Sequence, residues 1–131
     1  MLSLRQLQWD ELDLLQGLEA TPTPGENGSY RYRVQQQDLQ LRVSLWPEHG
    51  MVDVTLFSTT SRAILLDLTV AVRGRIRYNN DKRGEYLEFA DCLLVSRLLA
   101  SDEQLEAAFS PNTPGRPMVL TVKPTLSVLF E

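Results

Sequence analysis

The sequence is short of the residues that carry most protein chemistry. Among its 131 residues it has one cysteine, Cys92, and one histidine, His49. A single cysteine excludes an internal disulfide and any cysteine-built zinc site, and a lone thiol suits a reducing compartment. One histidine cannot build a multi-histidine metal centre, so neither metal nor cofactor is expected. No apolar run approaches the ~20 residues of a membrane helix. Asp10, Glu11 and Asp13 interrupt the N-terminal stretch that a signal peptide keeps apolar. The expectation is a cytoplasmic chain with no membrane contact, in which the sequon Asn27-Gly28-Ser29 is a chance match. Thirteen basic residues against seventeen acidic give a net charge of −4, which disfavours nucleic acid as a partner of the whole surface.

What is present has the proportions of a soluble globular protein, with 43% apolar and 23% charged residues. The length fits one β-rich domain over residues 1–131. Two proline- and glycine-rich stretches, 20–29 and 110–117, read as surface loops. Near the start, Leu4, Leu7, Leu12, Leu15 and Leu18 recur close to the helical period, and Ser3 with Gln6 forms a capping-box pattern. Leu2, Leu14 and Leu4 itself fit that stripe less well, which leaves a short strand as the alternative. Ser101 to Gln104 offers a second helix start.

From Tyr30 the apolar period becomes two. Tyr30, Tyr32 and Val34 alternate with Arg31 and Arg33, then Leu39 to Leu45 with Gln40, Arg42 and Ser44, then Val52 to Leu56 with Asp53 and Thr55. Such alternation marks half-buried antiparallel strands. Residues 63–78 form the longest strand candidate, with Ile64 to Ile76 of one parity. A polar turn from Asn79 to Gly84 returns the chain along Glu85 to Val95. Pairing Ile76 with Leu87, Gly74 with Phe89 and Arg75 with Glu88 would match apolar with apolar and charge with counter-charge. Met118 to Val122 and Leu126 to Phe130 complete about seven strands. The fold expected is a mainly antiparallel β-sandwich or twisted open barrel with one or two short helices.

No catalytic constellation survives inspection. His49 sits in a turn without a nucleophile partner, and no Gly-x-Ser-x-Gly elbow exists. Asn79 to Ala90 resembles a calcium loop only until Arg83 at the fifth position and Ala90 at the twelfth. Gly25 to Gly28 lacks the lysine of a phosphate loop. Asp53 and Asp67 point away from the core, so a carboxylate-dependent hydrolase acting on a glycan is a distant alternative. No catalytic residue is assigned.

Two surfaces remain as binding candidates. Trp46, Met51 and Phe57 lie on the strand face opposite the core, covered by another element such as the N-terminal helix or else exposed for a protein partner or self-association. Arg73, Arg75 and Arg77, with Arg83 at the turn, could take an anion or single-stranded nucleic acid, and Arg31 and Arg33 would add to them if their strand lay nearby. The stretches Asp81 to Ala90 and Val122 to Val128 resemble segments of small uncharacterised bacterial β-rich proteins of no known activity. The resemblance implies a bacterial β-rich protein and supplies no site residues. The favoured function is a non-enzymatic interaction domain of the inhibitor or immunity type, binding another protein.

Overall fold

A computed structural model describes residues 6–95, 114–123 and 126–131. The alternation read from the sequence becomes one antiparallel sheet. Its strands are β1 (Thr23–Pro24), β2 (Tyr30–Gln36), β3 (Leu39–Trp46), β4 (Met51–Ser58), β5 (Ile64–Val72), β6 (Ile76–Asp81), β7 (Gly84–Val95), β8 (Arg116–Thr121) and β9 (Ser127–Phe130). Neighbours follow the order β1-β2-β3-β4-β5-β7-β8-β9, and β6 pairs with β7. Of the two forms expected, β-sandwich and twisted open barrel, the fold is nearer the second, a single sheet that does not close. Nine strands replace about seven because the long 63–78 strand divides into β5 and β6 and a two-residue β1 is added.

One face of every long strand feeds a single core. Tyr32, Leu41, Val43, Leu45, Val52, Val54, Val70, Ile76, Leu87, Phe89, Met118 and Leu120 are all buried in it. A flat sheet could not bring Val34 of β2 and Leu120 of β8 into one cluster, so the sheet curls round its apolar face. The Gln36 side-chain amide spans the remaining gap. Its Nε2 donates to the Val122 carbonyl at 2.9 Å and its Oε1 accepts from the Leu126 N–H at 3.1 Å.

The helix α1 (Glu11–Leu18) closes the open side of this curl. Asp10 caps it, accepting from the Leu12 N–H at 2.8 Å. The expected capping residue, Ser3, lies outside the described residues, as does the second helix start at 101–104. Leu14 and Leu18, one turn apart, are buried, whereas Leu12 and Leu15 are exposed at 59% and 44%. The buried face thus keeps Leu18 of the expected stripe but takes Leu14, which fitted it less well, in place of Leu12 and Leu15, because the chain before Asp10 is extended and does not set the helical phase. There Leu7 N–H donates to the Pro47 carbonyl and the Gln8 carbonyl accepts from Ile76 N–H.

One register differs from expectation. The β6–β7 turn contains only Lys82 and Arg83, so pairing runs Ile76↔Phe89, Arg77↔Glu88 and Tyr78↔Leu87. The expected ladder had the right faces but was two residues out, because the polar residues Asn79 to Asp81 belong to the strand. Gly74 consequently lies against Ala90, not Phe89, and a methyl group there would strike the Ala90 carbonyl and Cβ. The strand does bulge at this point. Val72↔Cys92 and Ile76↔Phe89 leave three residues opposite two, with Asp91 at φ 55°. Between β4 and β5 the register also shifts near Phe57, which leaves Ile64 65% exposed instead of in the core.

Candidate functional site

The convex face of β2 to β5 is ruled into rows by cross-strand pairing. One row holds Trp46, Met51 and Ala71. The next holds Arg31, Ser44, Asp53 and Thr69. A third holds Arg33, Arg42, Thr55 and Asp67, and a fourth Gln35, Gln40, Phe57 and Ile64. Apart from Ile64, which follows the register shift, each of these residues alternates with residues that face the core, so the pleat that buries Tyr32 and Val43 turns Arg33 and Arg42 outwards.

The expected protein-binding residues occupy two ends of this face. Trp46 pairs with Met51 and Phe57 with Gln40, as read from the sequence, and all three aromatic or thioether side chains are half-buried. α1 does not cover them. Its Leu14 and Leu18 enter the core on the opposite side of the sheet.

Around Phe57 the face sinks into an open depression of about 500 Å³. Arg33, Arg42 and Arg62 line it together with Phe57 and Ile64. The Arg42 guanidinium lies 4.7 Å above the centre of the Phe57 ring, and its Nε donates to Gln40 Oε1 at 3.3 Å. Arg33 stands directly across the ladder from Arg42. Like charges in that position oppose pairing. Among the described residues no ion pair reaches Arg31, Arg33, Arg42 or Arg62. The carboxylate in the same row, Asp67, is two strands from Arg42 and accepts from Thr55 Oγ1 at 3.3 Å.

Arg62 arrives by a different route. It lies in the β4–β5 turn at φ 62°, a left-handed conformation in which glycine is the unstrained choice. Ser58 and Ser61 hydroxyls accept from the N–H groups of Ser61 and Ala63, and Arg62 N–H donates to the Ser58 carbonyl. Thr59 N–H donates to the Asp38 carbonyl, which ties this turn to the β2–β3 turn. Sequence alternation placed Arg31, Arg33 and Arg42 outwards but did not set them side by side. The two-residue Gln37-Asp38 turn does that, and it was the usable signal. Arg31 and Arg33 thus join Arg42 and Arg62, not the arginines of the 73–77 segment.

The other expected set is dispersed. Arg73 is bound to Asp91 at 2.7 Å beside the bulge. Arg75 and Arg77 are exposed, and Arg77 faces Glu88 across the ladder. Arg83 belongs to a network at the β6–β7 turn. Its Nη2 donates to the Tyr86 hydroxyl, the Tyr86 hydroxyl donates to Asp81, both at 2.6 Å, and its Nη1 donates to Glu131 at 3.1 Å. The Tyr86 and Arg83 donors hold the Asp81 carboxyl below its usual range. This cluster fastens the end of β9 to the turn.

For the other chemistries considered, Asp53 accepts from Thr69 Oγ1 at 2.5 Å and His49 is exposed in the turn before Gly50. Among the described residues no group of three or more His, Cys, Asp or Glu is arranged to hold a metal ion, and no helix is long and apolar enough to cross a membrane.

Comparison with known proteins adds one fold relationship. No protein-family model matches the chain, and no curated protein matches it in sequence. Its fold is similar to that of a chain in a contact-dependent growth inhibition toxin–immunity protein complex from Klebsiella pneumoniae 342. That match has a TM-score of 0.67 and 15% identity over 97% of this chain and 96% of that one. At this identity the likeness is one of fold.

Proposed function

We propose that the chain is a non-enzymatic, cytoplasmic protein-binding domain of the immunity type, which neutralises a toxin by covering part of its surface. The observation that carries this reading is the convex face of β2 to β5. It combines half-buried Trp46, Met51 and Phe57 with arginines that no ion pair reaches among the described residues, and aromatic and arginine side chains are those that most often anchor protein interfaces. The fold shared with a member of a toxin–immunity complex supports the same reading, as a class-level analogy.

The test is neutralisation. The chain is co-expressed in bacteria with each of a panel of toxin domains from contact-dependent growth inhibition systems, and growth is followed. Restored growth with one toxin, and a one-to-one complex of the purified pair by light scattering, is the expected result. Failure to bind or neutralise any of them, or light scattering that shows this face occupied by a second copy of the chain, overturns it.

A further inference from the structure

We infer that the partner meets the depression around Phe57 with an acidic segment that carries an apolar side chain. This rests on the protein-binding reading above and specifies the chemistry of what is bound. Two independent unfavourable features converge on the same few residues. Arg33 and Arg42 oppose each other across the β2–β3 ladder, and Arg62 holds a left-handed backbone that glycine would adopt without strain. A neutral side chain at 33 or 42 and a glycine at 62 would serve the fold at lower cost. Both arrangements place a guanidinium at the rim of one concavity of about 500 Å³.

The geometry defines the occupant. Adjacent guanidinium groups present parallel N–H donors suited to carboxylates, each able to accept two such bonds. Phe57 and Ile64, which line the same depression, the latter 65% exposed, offer an apolar contact beside the charges. A peptide with carboxylates flanking an aliphatic or aromatic side chain satisfies both at once.

A nucleic acid fits less well. Its phosphates would continue past the arginines onto a surface that carries Asp38, Asp53 and Asp67, on a chain of net charge −4. The long-range field also orients an acidic partner. Residues 6–30 contain five acidic and no basic residues, so the end of the molecule bearing α1 repels what the arginine face attracts.

The experiment needs no toxin, so its failure and that of the neutralisation test are separable. Fluorescence polarisation follows a short labelled peptide of alternating Glu and Leu, a Lys–Leu peptide, and a thymidine oligonucleotide matched in charge to the first. The Glu–Leu peptide is expected to bind, with affinity falling as salt rises from about 50 to about 300 mM. Arg42→Glu should weaken it by about tenfold or more, while Lys82→Glu at the distant β6–β7 turn leaves it unchanged. Arg62→Gly should weaken it while leaving the melting temperature equal or higher, which separates loss of a contact from loss of the fold. Absence of Glu–Leu binding, equal binding of the Lys–Leu peptide, tighter binding of the oligonucleotide, or insensitivity to Arg42→Glu each overturns the inference.

Discussion

At the scale of single residues, two buried groups make the core sensitive to alkali. Tyr32 is fully buried, and its hydroxyl has no hydrogen-bond partner among the described residues. Burial, with smaller contributions from Glu11 and Tyr30, pushes its pKa from 10.0 to about 12. Burial likewise pushes the Cys92 thiol from 9.0 to about 12, and that thiol donates to the Phe89 carbonyl at 3.0 Å. In both cases the folded state retains a proton that the unfolded state has already released. Stability is therefore unaffected by these groups below about pH 9 and falls as pH rises towards 12. Urea midpoints measured across that range should decline. A flat profile, with thiolate absorbance appearing in the folded protein near pH 9, would contradict it. Removing the unpartnered hydroxyl is a separate check. Tyr32→Phe should leave the protein equally stable or more stable, by up to about 1 kcal/mol, since only a desolvation cost is lost. A clear loss of stability in thermal melts would mean that the hydroxyl is bonded after all.

At the scale of elements, α1 is held by close approach to β7. Gly17 faces Leu87, and a methyl group at Gly17 would run into the Leu87 side chain, which is fully buried. Gly17→Ala gains about 1 kcal/mol of helix propensity but overpacks a filled site, which costs about 1–3 kcal/mol. The net expectation is destabilisation in urea titration, and stabilisation would show that the helix can ride away from the sheet. How far these elements were legible follows from which signals are local. Period-two alternation fixed the faces of β2, β3 and β4 and the Trp46↔Met51 pairing, because each strand carries its own pattern and the Pro47–Gly50 turn is short. The β6–β7 register was not legible, because Asn79, Asn80 and Asp81 have turn composition yet continue the ladder to a two-residue turn. The helix face was misplaced because the leucine before Asp10, Leu7, reaches the core from extended chain and imitates a helical spacing.

At the scale of the whole molecule, the curled sheet separates two surfaces of opposite character. Among the described residues the concave side is filled by side chains and α1, and the convex face of β2 to β5 is the one we propose for binding. The arginine cluster there was only partly readable in sequence. Outward orientation of Arg33 and Arg42 followed from alternation, but their juxtaposition depends on the β2–β3 register, and Arg62 comes from a loop positioned by the Thr59–Asp38 hydrogen bond. Charge count concealed it too, since a net charge of −4 says nothing of where thirteen basic residues lie. If Arg33 and Arg42 are paired at a cost to the sheet and kept for a partner, Arg33→Glu, which turns their repulsive pairing into an attractive one, stabilises the chain. Urea denaturation at low salt should show a gain of about 0.2–1 kcal/mol. A loss of stability would mean that the arginines belong to the scaffold and that the face was not kept for binding.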